Sequence, residues 1–395
     1  MAVLAPLVQK DLEISDSALG LLLGFAFALF YALCALPIAR WADRGNRRDI
    51  IALSLAVWSL ATALSGAAQH YWHLFMARVG VGAGEAGGLP PAQSLICDYF
   101  PPERRAGIFA IHTTGQLLGA MAGFILAGWL GEMLGWRWAF VALGLPGIAL
   151  ALIVRVTLRE PPRGRFEAAP PQAHGSYADN LRELFRCRTY RLLVLFLALN
   201  GFVQFSLLQW WPMAYTRVFG FSVSTAGLSP GLAFGLGSTI GVLLGGFLAN
   251  QTAKRDPVLP MRIGAVSLAL VLPVAAGSLF LVSAFGSLLL VCATQLLWGL
   301  LAGPVIGALF NVTKPSLRAM AGAVMICATS VLGMGLGPFS VGLISDLLTP
   351  SLGTEALRFA LLAPLCLIPV LVVVILSSTK TLVQDLQENV IIPAR

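Results

Sequence analysis

Residues 72–97 read WHLFMARVGVGAGEAGGLPPAQSLIC, and this stretch decides the fold. It is long enough to cross roughly 30 Å of hydrocarbon as a helix, which takes about 20 mostly apolar residues. Yet it carries an acid, Glu85, near its middle and a base, Arg78, seven residues earlier. A charge at that depth costs at least about 2.5–3.5 kcal/mol on insertion scales, so such residues are rare and functional.

Similar apolar runs lie near residues 17–39, 49–68, 106–131, 136–155, 189–211, 223–249, 259–280, 284–310, 319–345 and 356–377, which makes eleven with the first. The composition agrees. Of 395 residues, 57% are hydrophobic and only 11% charged, with a mean hydropathy of +0.83. A soluble domain carries roughly 25% charged residues, so a soluble enzyme, a nucleic-acid-binding module and a disordered scaffold are excluded. The runs are read as helices because an open strand leaves its backbone unsatisfied in lipid, and short alternating barrel strands are missing. The expected fold is all-α and polytopic. The 41 glycines suit close helix packing. The six cysteines show no paired spacing of the kind that holds metals, so no metal or other cofactor is expected.

Lysine and arginine set the orientation. The segments 40–48, 104–105, 155–191, 254–262, 314–318 and 380–395 hold 21 of the 26, and the alternate loops hold Lys10, Arg137, Arg217 and Arg358. This split puts the C-terminus in the cytoplasm and the N-terminus outside. It also explains the net charge of +8 as topology, not nucleic-acid binding. The cell inner membrane is the expected location and a monomer the expected state.

The longest polar stretch separates five spans from six. Residues 1–155 form an N-terminal bundle, 156–188 a cytoplasmic linker, 189–379 a C-terminal bundle and 380–395 a tail. Within the linker, Leu181, Leu184 and Phe185 share a face of the helix expected over Tyr177–Arg188, which suits the inner membrane surface. The halves repeat. Gly24-Phe25-Ala26-Phe27 returns as Gly231-Leu232-Ala233-Phe234, and the same offset places Asp43 on Asn250. Pro91, Asp98 and Arg105 return as Pro304, Asn311 and Arg318, and Gly119 and Gly123 as Gly333 and Gly337. Parallel repeats of this kind belong to secondary transporters with a site at the midplane between two pseudo-symmetric bundles.

Gly24–Arg48, GFAFALFYALCALPIARWADRGNRR, resembles the second span and following loop of the major facilitator superfamily, whose signature there is G-x-x-x-D-R-x-G-R-R. Ala39 stands at the first glycine, Asp43-Arg44 and Arg47-Arg48 match, and Asn46 stands at the second glycine. Arg78-x-x-x-Gly82-x-Gly84-Glu85-Ala86 most resembles the Spinster-like lysolipid transporters. That resemblance implies an Asp-Arg pair in an opening helix, which this sequence lacks; by the repeat, Met1–Ser15 reads as the outer end of that helix and its loop. A late start is the preferred expectation over an incomplete, non-transporting protein, because the remainder shows no decay.

Arg78 and Glu85 return to within 20° of one helix face, about 10.5 Å apart along the axis. Removal from water favours the neutral acid and a nearby guanidinium the carboxylate, so Glu85 is the expected proton-coupling residue. Arg78 is expected to hold an anionic substrate group or, when empty, Glu85; a fixed ion pair between helices is the alternative. Other expected substrate contacts are Tyr31, His112 and Gln116 in the first half and Asn200, Gln204 and Gln295 in the second, with Gln209, Trp210, Trp211, Thr239 and Thr329 nearby in type. Each alone is more often a helix–helix hydrogen bond. Together they give one charged and one largely apolar wall, which suits an amphipathic anion or zwitterion better than a sugar; another organic anion or a drug is the rival cargo. No catalytic constellation stands near Glu85, so no enzyme is expected. The superfamily resemblance further implies an inner gate of Asp43, Arg44, Arg48, Arg104 and Arg105, with Asp43 facing the helix that begins near Ala319. Gly82, Gly84, Gly87, Gly88, Pro90 and Pro91 make the Glu85 span bendable, and no nucleotide-binding context surrounds them.

Overall fold

Inside hydrocarbon, backbone groups find partners only along a helix or in a closed barrel. The computed structural model, which describes residues 1–166, 177–253, 255–281, 283–314 and 317–389, takes the helical solution, with no strand among the described residues. A 3-10 turn, Ala2–Leu4, leads into α1 (Ala5–Leu12). Helix α2 (Asp16–Gly20) continues through a π-helical turn, Leu21–Phe25, into α3 (Ala26–Arg44). Then come α4 (Arg47–Ser65), α5 (Tyr71–Glu85), α6 (Leu89–Tyr99), α7 (Pro102–Thr157), α8 (Tyr177–Arg186) and α9 (Arg188–Phe219). The chain goes on through α10 (Val223–Thr252), α11 (Leu259–Phe280), α12 (Ala284–Asn311) and α13 (Arg318–Ala328). A second π-helical stretch, Thr329–Leu336, joins α13 to α14 (Gly337–Leu352), and α15 (Ala356–Leu365) and α16 (Ile368–Asn389) complete the order.

Eight helical stretches among the described residues are long and apolar enough to cross a membrane. Two of them are compound. Gly107–Thr157 turns at Gly135, whose φ of 76° only glycine adopts without strain, and Met320–Leu386 turns at Gly353, with φ 57°. With α5–α6, interrupted at residues 86–88, the described residues supply the eleven crossings expected. Side-chain oxygens close several starts: Ser15 accepts from the Ala18 N–H, Asn46 from Asp49 and Ser283 from Gly286.

Two compact units result. The first gathers Met1–Pro170, Ser206–Gly231 and Met334–Leu357; the second gathers Pro171–Phe205, Leu232–Gly333 and Arg358–Arg395. Small residues set the helix contacts of the first, as expected where apolar burial gives helices no preference for each other over lipid. A Cβ on Gly24 would stand 2.5 Å from the Gly335 carbonyl, and one on Gly144 2.6 Å from the Ala63 nitrogen. A core of Val3, Leu4, Val8, Leu22, Leu74, Trp136 and Phe140 fixes the N-terminal segment against α5 and α7.

In the second unit, α8 forms where the spacing placed a helix. Leu184 is buried in protein, Phe185 sets its ring edge-on to Tyr190 at 5.9 Å, and Glu183 pairs with Lys314. Leu184 therefore meets protein, while Phe185 keeps an exposed edge. The linker expectation for residues 167–176 and the tail expectation for 390–395 lie outside the described residues.

Candidate functional site

The orientation of α5 follows from its glycines. A Cβ on Gly82 would run into the Phe27 carbonyl of α3, and one on Gly84 would lie 2.7 Å from the Trp58 nitrogen of α4. Gly82 falls one turn from each of Arg78 and Glu85, so the two charges share the stripe that flanks the α3 contact. Helix α5 ends at Glu85; the Gly88 N–H closes a turn on the Glu85 carbonyl at 3.0 Å, and α6 restarts with prolines in its first turn. Glu85 thus sits at a break in the span, where the Gly/Pro run predicts bending.

Arg78 is half-buried. Its Nε donates to the Leu22 carbonyl at 3.3 Å, and its guanidinium lies 5.2 Å from the centre of the Phe27 ring. The Leu22 carbonyl belongs to the π-helical turn, and so does the Leu23 carbonyl, which accepts from Gln209 Nε2 at 3.2 Å. π-Helical turns recur at functional sites, and two carbonyls of this one hold side chains from other helices. Glu85 is exposed; its carboxylate accepts no hydrogen bond and enters no ion pair among the described residues. Arg78 and Glu85 interact as charges without touching. Phe27, Ala28 and Val81 pack beneath them with Tyr31, Trp58, Ala61 and Met334 alongside.

Three expected substrate contacts lie in this unit. Tyr31 is half-buried and stacks on Phe27 at 5.7 Å. His112 is half-buried and Gln116 exposed on α7, where neighbouring Gly115 and Gly119 have no atom within 4 Å of an added Cβ. Trp210 is fully buried with its Nε1 donating to the Pro338 carbonyl at 2.8 Å, so it is a packing residue.

In the second unit, Asn200 Oδ1 accepts from Trp298 Nε1 at 2.8 Å, joining α9 to α12. Gln295 is 1% exposed; its Oε1 accepts from Ser238 at 3.5 Å, and its Nε2 has no partner among the described residues. Gln204 is half-buried. Thr329 bonds back to the Met325 carbonyl of its own helix.

The five residues expected at the inner gate do not gather. Asp43, Arg44 and Arg104 are exposed, and their side chains enter no ion pair among the described residues. Arg48 pairs with its neighbour Asp49 at 2.9 Å, and Arg105 donates to the carbonyls of Phe100 and Cys97. The charge at the centre is Arg47, only 1% exposed, a signature residue of the inner loop that is not among the five. It donates to Asp98, to Glu160 at 2.7 Å, to Ser94 at 2.8 Å and to the Pro161 carbonyl at 3.3 Å. Arg163 adds bonds to the carbonyls of Ala42 and Gly45, each at 2.6 Å, tying the 158–164 segment to the end of α3.

A second cluster, at the opposite end, was missed altogether. Asp16, 4% exposed, receives Arg217 in a two-pronged pair at 2.8 and 2.5 Å, Gln9 at 2.7 Å and the Ser345 hydroxyl at 2.6 Å. Asp346 caps the start of α2 from α14, accepting the N–H groups of Asp16 and Ser17 at 3.0 and 2.8 Å. Four segments thus meet on one carboxylate. The only signal in the sequence was an Arg on the arginine-poor side.

Comparison with known proteins fits this arrangement. A model of the Major Facilitator Superfamily matches residues 1–338. The chain belongs to that superfamily: it is a multi-pass membrane transporter of small molecules and not an enzyme. An MFS-type efflux pump of Mycolicibacterium smegmatis is 35% identical over 362 residues, covering 91% of this chain and 83% of the pump. Human protein spinster homolog 1 is 30% identical over 397 residues, covering 92% of this chain and 73% of the human protein. A bacterial homolog of the human lysosomal transporter Spinster, solved inward-facing and unoccupied, aligns with a TM-score of 0.86 at 28% identity, over 97% of this chain and 93% of that one. Within the superfamily the chain is Spinster-like, as its Arg78–Glu85 span suggested. The nucleoside transporter NupG, at 16% identity and a TM-score of 0.70, shares the fold.

Proposed function

We propose that this transporter couples protons to the movement of an amphipathic anionic or zwitterionic molecule, lysophospholipid-like, by alternating access. The observation that carries the reading is the Glu85 carboxylate, deep in its span, exposed and without a hydrogen bond or ion pair among the described residues. An acid locked in a salt bridge resists protonation; this one feels Arg78 only through space. Arg78 is anchored through Nε and by Phe27, which leaves its terminal nitrogens to meet a phosphate or carboxylate head group. Ionised Glu85 competes with such an anion for the field of Arg78, and neutral Glu85 does not. Proton and anion therefore favour each other's binding, and linkage makes the effect reciprocal.

Tyr31, His112 and Gln116 in the first unit, and Asn200, Gln204 and Gln295 in the second, are the proposed further substrate contacts. Residues 1–155 and 189–379 are the proposed functional halves of a monomer, with 156–188 as linker and 380–395 as tail. Asp43, Arg44, Arg48, Arg104 and Arg105 are proposed to gather only in the state that closes the arginine-rich face. That face, with the C-terminus, is assigned to the cytoplasm and the protein to the cell inner membrane, from the lysine and arginine distribution. Extrusion of another organic anion or a drug through the same site is the second reading, favoured by the 35% identity to the efflux pump.

The test is uptake of a labelled lysophospholipid into proteoliposomes under an imposed pH gradient. Wild type accumulates it with the gradient, Glu85→Gln loses the gradient dependence, and Arg78→Gln loses substrate binding. Full gradient dependence in Glu85→Gln ends the coupling assignment, and a drug-like anion taken up in preference selects the second reading.

A further inference from the structure

Helices α4 and α7 touch closely at one level and part at another. Around Ser59 and Ala63 they meet through Gly144 and Gly147, where a Cβ on Gly144 would stand 2.7 Å from the Ser59 carbonyl oxygen. Toward the arginine-rich face they diverge, and a groove of about 540 Å³ opens between them. This lies within the range of roughly 300–1,000 Å³ typical of ligand clefts. Ala52, Ala56 and Ala151 form its floor, and Ile148, Leu53 and Leu152 its walls, the last two exposed on the membrane-facing surface. Trp41, half exposed at the end of α3, stands at the rim, a place where indoles favour the headgroup level.

The inner end of the groove is charged and not balanced. Asp49 lies between two guanidiniums, Arg48 at 2.9 Å and Arg155 at 4.0 Å, and Arg155 is 68% exposed. Glu160, which accepts the Arg48 N–H, is paired with Arg47, and Asp49 is held by Arg48, so the exposed Arg155 is left as the excess charge lining an otherwise apolar slot. A neutral lipid gains nothing from that excess; an anionic head group does. Basic pockets between spanning helices on this face are where anionic head groups bind.

We propose that this groove holds an anionic phospholipid of the surrounding bilayer, one acyl chain over Ala52, Ala56 and Ala151 and its phosphate against Arg155 and Arg48. The site is separate from Arg78 and Glu85, and the inference does not depend on the cargo proposed above.

Native mass spectrometry of the full protein, released from nanodiscs of phosphatidylglycerol and phosphatidylethanolamine, tests it. Wild type retains phosphatidylglycerol in preference. Arg155→Gln lowers that retention about fivefold, the usual worth of one basic residue at an anionic surface, and Asp49→Asn raises it. Ala56→Trp fills the floor and abolishes retention with both arginines intact. Equal retention of the two lipids, or unaltered phosphatidylglycerol in Arg155→Gln, overturns the proposal. So does a dimer released without lipid, since a second copy then covers the groove.

Discussion

Replacing Arg217 with glutamine removes both prongs of its pair with Asp16 and the bond from Nη2 to Gln9 Oε1. Breaking a fully buried pair by removing one partner costs about 3–5 kcal/mol, because the other charge is left uncompensated. Here the arginine side chain is 27% exposed, and Asp16 keeps Gln9 and Ser345, so the loss is nearer ~2 kcal/mol. At about 1.4 kcal/mol per factor of ten, that raises the opening equilibrium of the cluster roughly 30-fold. Hydrogen–deuterium exchange reads it directly, because the amides of Asp16 and Ser17 donate to Asp346 within the same cluster. Exchange at those amides is expected to quicken by that factor in Arg217→Gln, while amides in α16 stay unchanged. Unaltered exchange at Asp16 and Ser17 refutes the reasoning, since the cluster then holds without its arginine.

Three more outcomes follow from particular contacts. Arg47→Gln strands Asp98, 6% exposed, and Glu160, so thermal unfolding in detergent is expected to show a loss of about 3–5 kcal/mol; Arg44→Gln, whose side chain forms no ion pair among the described residues, is expected to be near neutral. Gly82→Val drives a side chain into the Phe27 backbone and is expected to cost about 1–3 kcal/mol, whereas Gly115→Ala, with open space around it, is tolerated by the same measurement. Burial and the neighbouring Asp385 push the Cys187 thiol up to about 11. Its thiolate is therefore scarce at pH 8, and maleimide labelling of this residue is expected to accelerate only as the pH climbs toward that value; rapid labelling at pH 7 contradicts it.

Legibility in the sequence tracked distance along the chain. Crossings are written in runs of about twenty apolar residues, so hydropathy finds them even where the chain turns at Gly135 or Gly353. Glu85 and Arg78 were legible for the same reason: a charge in an apolar run stands out with no partner specified. The break after Glu85 was legible in Gly87, Gly88, Pro90 and Pro91. The ion clusters were not. Arg47 reaches Glu160 across 113 residues, and Asp16 reaches Ser345 across 329, and no local period records such pairs. Arg47 and Arg48 look alike in a basic loop, yet one is buried at the centre of a network and the other pairs with its neighbour. The π-helical turn at Leu21–Phe25 left no mark in composition either, though its carbonyls hold Arg78 and Gln209. Among the amides proposed from polarity alone, Asn200 is engaged by Trp298, while the Gln295 Nε2 group is buried without a partner among the described residues.

The most direct measurement is of proton movement itself. A pH-sensitive dye sealed inside proteoliposomes, with no gradient imposed, reports protons that travel with a lysophospholipid added outside. The account predicts a substrate-dependent pH change with wild type and none with Glu85→Gln, although that variant still binds the lipid through Arg78. A pH change of equal size in the two proteins contradicts it.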